Sequence, residues 1–480
     1  MKPIFRTEPH GSDRPEKPHR AGLPLLLALT AALFIIMLIL CGMYLDLRVN
    51  GLNFALPRIP ENDKWILSGS GYNAYTGAGT LLSPTFIGFK TANGEMTAAA
   101  FDKTAADTLT AYLHARYDAL FCGHAERISF ADESEKEAYL TSLCRADSFV
   151  YASYYDELPA AAILPSVLNG GISGSPETDF FVKYLFLLPD EGGNLYAVCL
   201  DAELEATVLT PSTSVAYNTD ELAAYNGVRG YAPFAFVAEN CPIPVFTRSF
   251  DVDSVTVVPS SSYYSFTPED ERTKALLKTL DFNTNMVKSF RSGDNGTISF
   301  VEDGKELYVS VKEGWIRYTG YETGIHMSHL LRYYPADGKM YSFADEVLCV
   351  KYLISSLDRM LIGGDAAPSL VRIARNDEDS TVFSLKYFYN GVMLTENDAD
   401  ITVEIRANAI RRIDIRMLYC NAGTLQRPVI PQSLALGIVE NGSLSADGLS
   451  DYGALFVSEP DTNRIDLVWV ERKRGQDDVS

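Results

Sequence analysis

The 480-residue sequence lacks the excess of basic side chains that nucleic-acid binding needs. Its 41 lysines and arginines are outnumbered by 62 aspartates and glutamates, so the formal net charge is −21. A chain this acidic is repelled by nucleic acid and by anionic lipid headgroups. The short basic run from Arg472 to Arg474 does not reverse this balance. Nucleic acid is therefore excluded as a partner.

The motifs of envelope hydrolases and transpeptidases are also missing. Residues Gly171 to Ser175 come close to a nucleophile elbow, but Ser175 stands where its second glycine belongs. No Ser-x-x-Lys motif occurs after residue 45. Because no nucleophile and base share a recognisable pattern, no catalytic residue is predicted.

Metal ligands at a characteristic spacing are absent as well. His326 and His329 are three residues apart, and His114 and His124 lie near Cys122. A His-x-x-His pair by itself lacks the third and fourth ligands of a zinc site. We expect these histidines on the surface or in loops, and we predict neither a metal nor a cofactor.

Cysteine is scarce for a chain of this length. Six cysteines follow residue 45, and an even number permits up to three disulfide bridges. With 47% hydrophobic residues, however, the chain can build cores without such bridges. We expect mostly reduced, buried thiols, with Cys122 and Cys144 as the best candidate pair. The six are Cys122, Cys144, Cys199, Cys241, Cys349 and Cys420.

One long uncharged segment is present, at residues 21–45. A helix of its 25 residues reaches roughly 37 Å, which is enough to cross a hydrocarbon core of ~30 Å. Five lysines and arginines lie in residues 1–20, whereas three lie in the next twenty residues after the segment. This bias predicts a single-pass protein of the cell membrane, with a cytoplasmic tail at 1–20 and an extracytoplasmic remainder.

A cleaved signal peptide is the competing interpretation of this segment. The apolar run exceeds the usual ~7–15 residues, and Cys41 to Tyr44 contain no small-x-small cleavage site. A lipoprotein signal would have a small residue before Cys41, but Leu40 is large. Both features favour a retained helix.

Small residues on the predicted transmembrane helix form a candidate contact for a partner helix. Ala28, Ala31 and Ala32 recur at helical spacing, with Thr30 nearby. Small side chains let two helices approach closely in a bilayer. Alanine is also ordinary filler in transmembrane helices, so both interpretations stay open.

The remainder of the chain predicts an α+β ectodomain with several domains. Residues 104–120 and the segment from Ser134 to Cys144 have helical patterns, and short aromatic and β-branched runs follow them. A polar joint at Pro259 to Ser262 suggests a boundary. We predict a first α+β ectodomain at 46–255, a helix plus β-meander unit at 256–340, and a second helix plus antiparallel sheet unit with closing strands at 341–480.

The two later units are alike in sequence. Thr267 and Ser342 each stand where a helical pattern begins, and strands separated by turns follow each helix. The strand–turn–strand segments at 307–316 and 401–410 align with one another. We therefore predict a duplicated unit of helix plus antiparallel sheet whose two copies superpose.

Five segments carry a resemblance to a known family. They are Leu276 to Asn283, Gly314 to Tyr318, Phe383 to Gly391, Arg427 to Pro431 and Ile465 to Val470. In these segments the chain resembles the YycH/YycI accessory proteins of Gram-positive bacteria. The resemblance covers the later units and does not extend to the region before residue 255.

The resemblance implies a regulatory role without catalysis. Proteins of this family have one membrane span and an α+β ectodomain, and they attach to an essential sensor histidine kinase of a two-component system that controls cell-wall metabolism. The implied partners are the membrane, that kinase and a paralogous accessory protein. The alternative is a cell-envelope hydrolase or a wall-polymer binding module that uses the first ectodomain.

Overall fold

The computed structural model describes residues 82–163, 180–259, 266–291, 296–331, 341–431, 452–458 and 464–471, with short breaks inside these ranges. The predicted transmembrane segment at 21–45 lies outside them, and so does its candidate contact at Ala28, Ala31 and Ala32. Within the described ranges, no helix is both long and apolar enough for a membrane crossing.

The described residues contain seven helices and 24 strands. The helices are α1 (Lys103–Phe121), α2 (Glu133–Arg145), α3 (Ala160–Ile163), α4 (Asp220–Ala223), α5 (Glu271–Thr279), α6 (Met327–Leu331) and α7 (Phe343–Leu361). The strands of the first half are β1 (Phe86–Lys90), β2 (Met96–Ala99), β3 (His124–Arg127), β4 (Phe149–Pro159), β5 (Phe181–Pro189), β6 (Leu195–Leu200), β7 (Ala206–Thr210), β8 (Tyr231–Ala238), β9 (Cys241–Phe246) and β10 (Phe250–Pro259). Those of the second half are β11 (Lys288–Arg291), β12 (Thr297–Glu302), β13 (Lys305–Ser310), β14 (Trp315–Gly320), β15 (Ile325–His326), β16 (Gly363–Gly364), β17 (Ala367–Asn376), β18 (Ser380–Tyr389), β19 (Val392–Met393), β20 (Ile401–Arg406), β21 (Ala409–Arg416), β22 (Leu418–Val429), β23 (Tyr452–Ser458) and β24 (Arg464–Glu471).

The first sheet has the strand order β3-β7-β6-β5-β4-β1-β2-β8-β9, with antiparallel neighbours throughout. Successive side chains of a strand point to opposite faces. Val150 of β4 belongs to the core that contains Leu109 of α1, whereas Tyr151 belongs to the core that contains Leu140 of α2. Helices therefore cover both faces, which explains why β5 is buried almost continuously.

The second sheet is larger and runs β11-β12-β13-β14-β21-β20-β18-β19-β23-β24-β10-β22-β16, with β15 beside β21 and β17 beside β18. Its described pairs are antiparallel except for β16 with β22 and β19 with β23. The predicted α+β class with antiparallel sheets is thus confirmed for the described residues. The predicted closing strands are β23 and β24.

Strand β10 follows the last strand of the first sheet along the chain, but it is hydrogen-bonded into the second sheet. It pairs along its length with β22 and also with β24, so all of Phe250–Pro259 belongs to the second sheet. The boundary predicted between residues 255 and 256 falls inside this strand. The division of the chain into three ectodomain units stays a prediction.

The two predicted copies share one topology. Helix α5 is followed by the meander β11-β12-β13-β14, and helix α7 is followed by β17, β18, β20 and β21. The copies meet through their last strands, because β14 pairs with β21. The aligned segments at 307–316 and 401–410 lie in the corresponding hairpins β13-β14 and β20-β21. This arrangement is the one expected of a duplication, and superposition of the copies stays a prediction.

The predicted cap of α7 is confirmed. The Asp345 backbone N–H donates to Ser342 Oγ at 3.2 Å, and the Ser342 backbone N–H donates to Asp345 Oδ2 at 2.8 Å. Two donors that the helix would leave unpaired are thus satisfied reciprocally. The Ser342–Asp345 pair fixes the start of α7, whose Leu353 and Leu357 are fully buried.

The predicted starts of α2 and α5 are wrong by two or three residues. Asp132, and not Ser134, caps α2, because Glu135 donates its backbone N–H to Asp132 Oδ1 at 2.9 Å. Asp270, and not Thr267, caps α5, while Thr267 begins the turn before it. In α5 the aspartate lies nearer the helix than Thr267, whereas Ser134 lies inside α2 and Asp132 caps that helix from the residue before its start.

A single apolar core joins α1 to α7. Leu113 and Tyr117 of α1 are fully buried, and so are Leu353 and Leu357 of α7, and all four belong to the same core cluster. Helix α1 packs against the first sheet and α7 against the second. The two sheets therefore share buried surface through their helices.

Candidate functional site

The histidines singled out for a metal have separate partners. His326 Nδ1 lies 2.8 Å from Ser328 Oγ, and His329 Nδ1 lies 3.4 Å from Asp281 Oδ1. Among the described residues no group of three or more histidine, cysteine or carboxylate side chains is placed to hold a metal ion. Ser175 and Cys122 lie outside the described residues.

His114 occupies a different environment from the surface or loop position expected for it. It lies on α1, and burial together with the nearby positive charge of Lys351 lowers the pKa of its imidazole to about 4. Lys351 on α7 is buried, and burial lowers its pKa to about 8. The buried Lys351 of α7 and the half-buried His114 of α1 thus lie close enough to interact, where solvation of charge is poor.

A second buried lysine connects the two sheets directly. Lys386 of β18 is 4% exposed, and its Nζ lies 3.3 Å from Tyr155 Oη and 4.9 Å from the centroid of the Tyr155 ring. Tyr155 belongs to β4 of the first sheet. An ammonium over an aromatic face is stabilised by the ring quadrupole. In the sequence, Lys386 stands among the aromatic residues of "FSLKYFY", a pattern that does not by itself predict a contact between the sheets.

The thiols agree with the expectation of buried cysteines. Cys144, Cys199 and Cys349 are buried and form no disulfide. Burial, and next the neighbouring Cys241, raises the pKa of Cys144 to about 12. Cys144 is free, and Cys122, its candidate partner, lies outside the described residues. A buried thiol of high pKa reacts slowly because the thiolate is the nucleophile.

An aromatic and basic surface lies on one side of five neighbouring strands of the second sheet. Phe290, Ser299, Tyr308, Arg317 and Asp414 lie opposite one another on five neighbouring strands. Side chains at such positions share a face. We call this side of β11, β12, β13, β14 and β21 the outer face. The other side carries fully buried residues such as Phe300 and Leu307.

An ion-pair network orders the centre of the outer face. Asp414 accepts hydrogen bonds from Arg317 Nε and Arg412 Nε, each at 2.5 Å. The Arg317 guanidinium also stands 4.8 Å from the centroid of the Trp315 ring, which lies 5.3 Å from that of Tyr308. Two arginines and two aromatic rings are thus held in one arrangement by mutual contacts.

Two mainly antiparallel sheets, helices on both faces of the first, and two helices each followed by strands of the second define the class of fold. The crystal structure of YycH from Bacillus subtilis is similar to this chain, with a TM-score of 0.52 and 10% sequence identity, over 82% of this chain and 94% of that one. The resemblance predicted from the sequence is confirmed at the level of the fold.

The other comparisons add little. An uncharacterized protein from Eubacterium rectale is aligned at 13% identity over 47% of this chain and 80% of that one, but its TM-score is 0.25. No protein-family model matches the chain. No curated protein matches it either.

Proposed function

We propose that this chain is a membrane-anchored, extracytoplasmic regulatory protein that binds and modulates a sensor histidine kinase of a two-component system controlling cell-wall metabolism. The observation that carries the proposal is the YycH-like fold, which spans 82% of this chain and 94% of YycH. The family-like segments at 314–318, 383–391 and 465–470 supply residues of β14, β18 and β24, all in the second sheet. These features support a binding protein that acts without catalysis.

Covalent capture in native membranes tests this proposal. We expect full-length protein, crosslinked in membranes and purified under denaturing conditions, to bring down a sensor histidine kinase and a paralogous accessory protein, both identified by mass spectrometry. Incubation of the purified chain with peptidoglycan should neither cleave the polymer nor sediment the protein. Capture of wall enzymes alone, or release of soluble muropeptides, would favour the hydrolase or wall-binding alternative.

The proposed role of the membrane segment makes a separate prediction. Ala28, Ala31 and Ala32 offer a small-residue face to a kinase helix. We expect an exchange of residues 21–45 for an unrelated span of equal length to reduce kinase capture and to change kinase output in cells. Replacing the three alanines alone with leucine should reduce capture as well, because larger side chains prevent close approach of the two helices. If capture and output are unchanged by the exchange, the segment is an anchor and contact is made outside the membrane.

A further inference from the structure

The outer face combines features that distinguish it from the rest of this protein's surface. Phe290 is 57% exposed on β11, Met286 in the turn before β11 is 69% exposed, and Tyr321 immediately after β14 is 66% exposed. In the described part of the chain, three of the five large hydrophobic side chains that are exposed lie on or beside this one meander. Groups of exposed apolar side chains on one part of a protein mark interaction surfaces more often than scattered ones do.

The charge of the outer face is opposite to that of the whole chain. On its five strands the outer face carries four basic residues, Lys288, Arg317, Arg412 and Arg416, and two acids, Glu306 and Asp414. Glu404 of the adjoining strand β20 stands opposite Arg412, so four bases still outnumber three acids. The chain as a whole has a formal charge of −21. A basic patch within such a chain attracts an acidic group that approaches this face, although the remaining surface repels it.

The arginines keep hydrogen-bonding capacity for a ligand. Arg317 and Arg412 each bond Asp414 through Nε, and their side chains are 47% and 50% exposed. A guanidinium has five N–H donors, so the terminal nitrogens of both arginines are left to receive a carboxylate in the two-pronged geometry that arginine favours. Asp414 holds both side chains in place, which reduces the entropy lost when a ligand binds.

We propose that the outer face binds an acidic segment of a partner protein, with Arg317 and Arg412 pairing with carboxylates and Phe290 packing against an apolar side chain of the same segment. The inference rests on the proposed function, because the partner is the extracytoplasmic part of the proposed kinase assembly. Tryptophan, tyrosine and arginine are the residues that dominate binding energy at protein interfaces.

The charge balance favours a protein segment over the other anionic occupants. An anionic bilayer or a wall polymer presents charge over distances well beyond the screening length of ~10 Å, and it would meet the acidic remainder of the chain as well as this face. A short acidic segment meets only the basic face. The test must therefore distinguish binding of a protein segment from binding of an anionic bilayer or a wall polymer.

Capture of the kinase by full-length variants in native membranes tests the surface. We expect Phe290→Asp to reduce kinase capture by about tenfold or more, because the substitution replaces an apolar interface anchor with a charge that an acidic segment repels. The double variant Arg317→Gln, Arg412→Gln should reduce capture and flatten its dependence on salt. Phe181→Asp and Arg127→Gln are matched controls, because Phe181 is 49% exposed and both residues lie on strands of the first sheet. Neither control should change capture.

The outcomes separate this inference from the proposed function. If wild-type protein captures no kinase, the proposed function fails. If wild-type protein captures the kinase and all outer-face variants capture it equally, the proposed function stands and the surface is wrong. The acidic-segment proposal would also be wrong if the wild-type protein bound phosphatidylglycerol vesicles or purified wall polymer and the arginine variants did not. It would equally be wrong if this face were crosslinked to a second copy of the chain. Thermal unfolding midpoints within a few degrees of wild type show that the variants fold.

Discussion

Replacing Leu353 with aspartate is expected to abolish most of the folding stability of the described region. Leu353 lies on α7 with no exposed surface, in the core cluster that α7 shares with α1. An aspartate there loses the apolar contacts of leucine and buries a carboxylate among the apolar side chains of this core. The two effects together cost several kcal/mol, against a typical total stability of ~5–15 kcal/mol.

Urea unfolding of the full chain followed by circular dichroism measures this loss. Ser355→Asp is the matched control, because Ser355 lies half-buried on the same helix and a charge there remains accessible to water. We expect Leu353→Asp to accumulate as unfolded or aggregated protein and Ser355→Asp to unfold near the wild-type midpoint. Similar midpoints for the two variants would mean that α7 does not pack as described.

Helix α7 also shows which parts of this fold a sequence can predict. Its leucines recur at helical spacing, and Ser342 with Asp345 forms a capping box, so both its existence and its start follow from local chemistry. The starts of α2 and α5 were harder, because several capping residues stand close together there. Asp132 and Asp270 cap those helices, and competition between neighbouring caps depends on backbone geometry that sequence does not specify.

Strand pairing between distant segments was the part that local patterns missed. The hairpins β13-β14 and β20-β21 were predictable from their turns, whereas their union through β14 and β21 is a long-range contact. In the same way, no local pattern in β10 predicts that this strand pairs with β22, which begins some 160 residues later in the chain. The polar joint at Pro259 to Ser262 suggests a separation between two domains. The boundary predicted from it therefore falls inside β10, which is a strand of the second sheet.

The candidate site also depends on long-range strand pairing that local sequence patterns do not predict. Single residues such as Phe290 and Arg317 carry no motif, and they become a surface only when four strand pairings bring their rows together. The sequence shows Lys386 only as a lysine in an aromatic strand, and its contact with Tyr155 of the first sheet requires the folded arrangement. Sequence chemistry could limit the class of function, but the location of a binding surface required the register of the sheet.

The second large effect is expected at Lys351, whose replacement by methionine should stabilise the protein. Lys351 is 3% exposed, and burial lowers its pKa from the ordinary value of 10.5 to about 8. The depressed pKa means that the charged form is disfavoured in the folded state, at a cost of at most about 3 kcal/mol at pH 7. Methionine has similar length and no charge. We expect Lys351→Met to raise the free energy of unfolding at pH 7 by roughly 2 kcal/mol.

The pH dependence of this gain distinguishes charge from packing. Above its unfolded pKa of 10.5 the lysine is neutral in both states and imposes no electrostatic cost, and the full cost is present only below pH 8. The stability difference between Lys351→Met and wild type should therefore be largest at pH 7 and shrink as the pH rises from 8 toward 10.5. Lys278→Met is the control, because Lys278 is exposed on α5 and its loss should change stability little at any pH.

His114 provides an independent readout of the same contact. Burial and, next, the charge of Lys351 lower its pKa to about 4, below the ordinary value of 6.5. Since the unfolded chain binds this proton first, wild-type stability should decline as the pH falls from 6.5 to 4. Removing the Lys351 charge should raise the His114 pKa, measured by NMR titration of the imidazole, and should lessen that decline. A gain in stability at Lys351→Met that is constant from pH 7 to 10.5, with the His114 pKa unchanged, would mean that the two side chains do not face each other across α1 and α7.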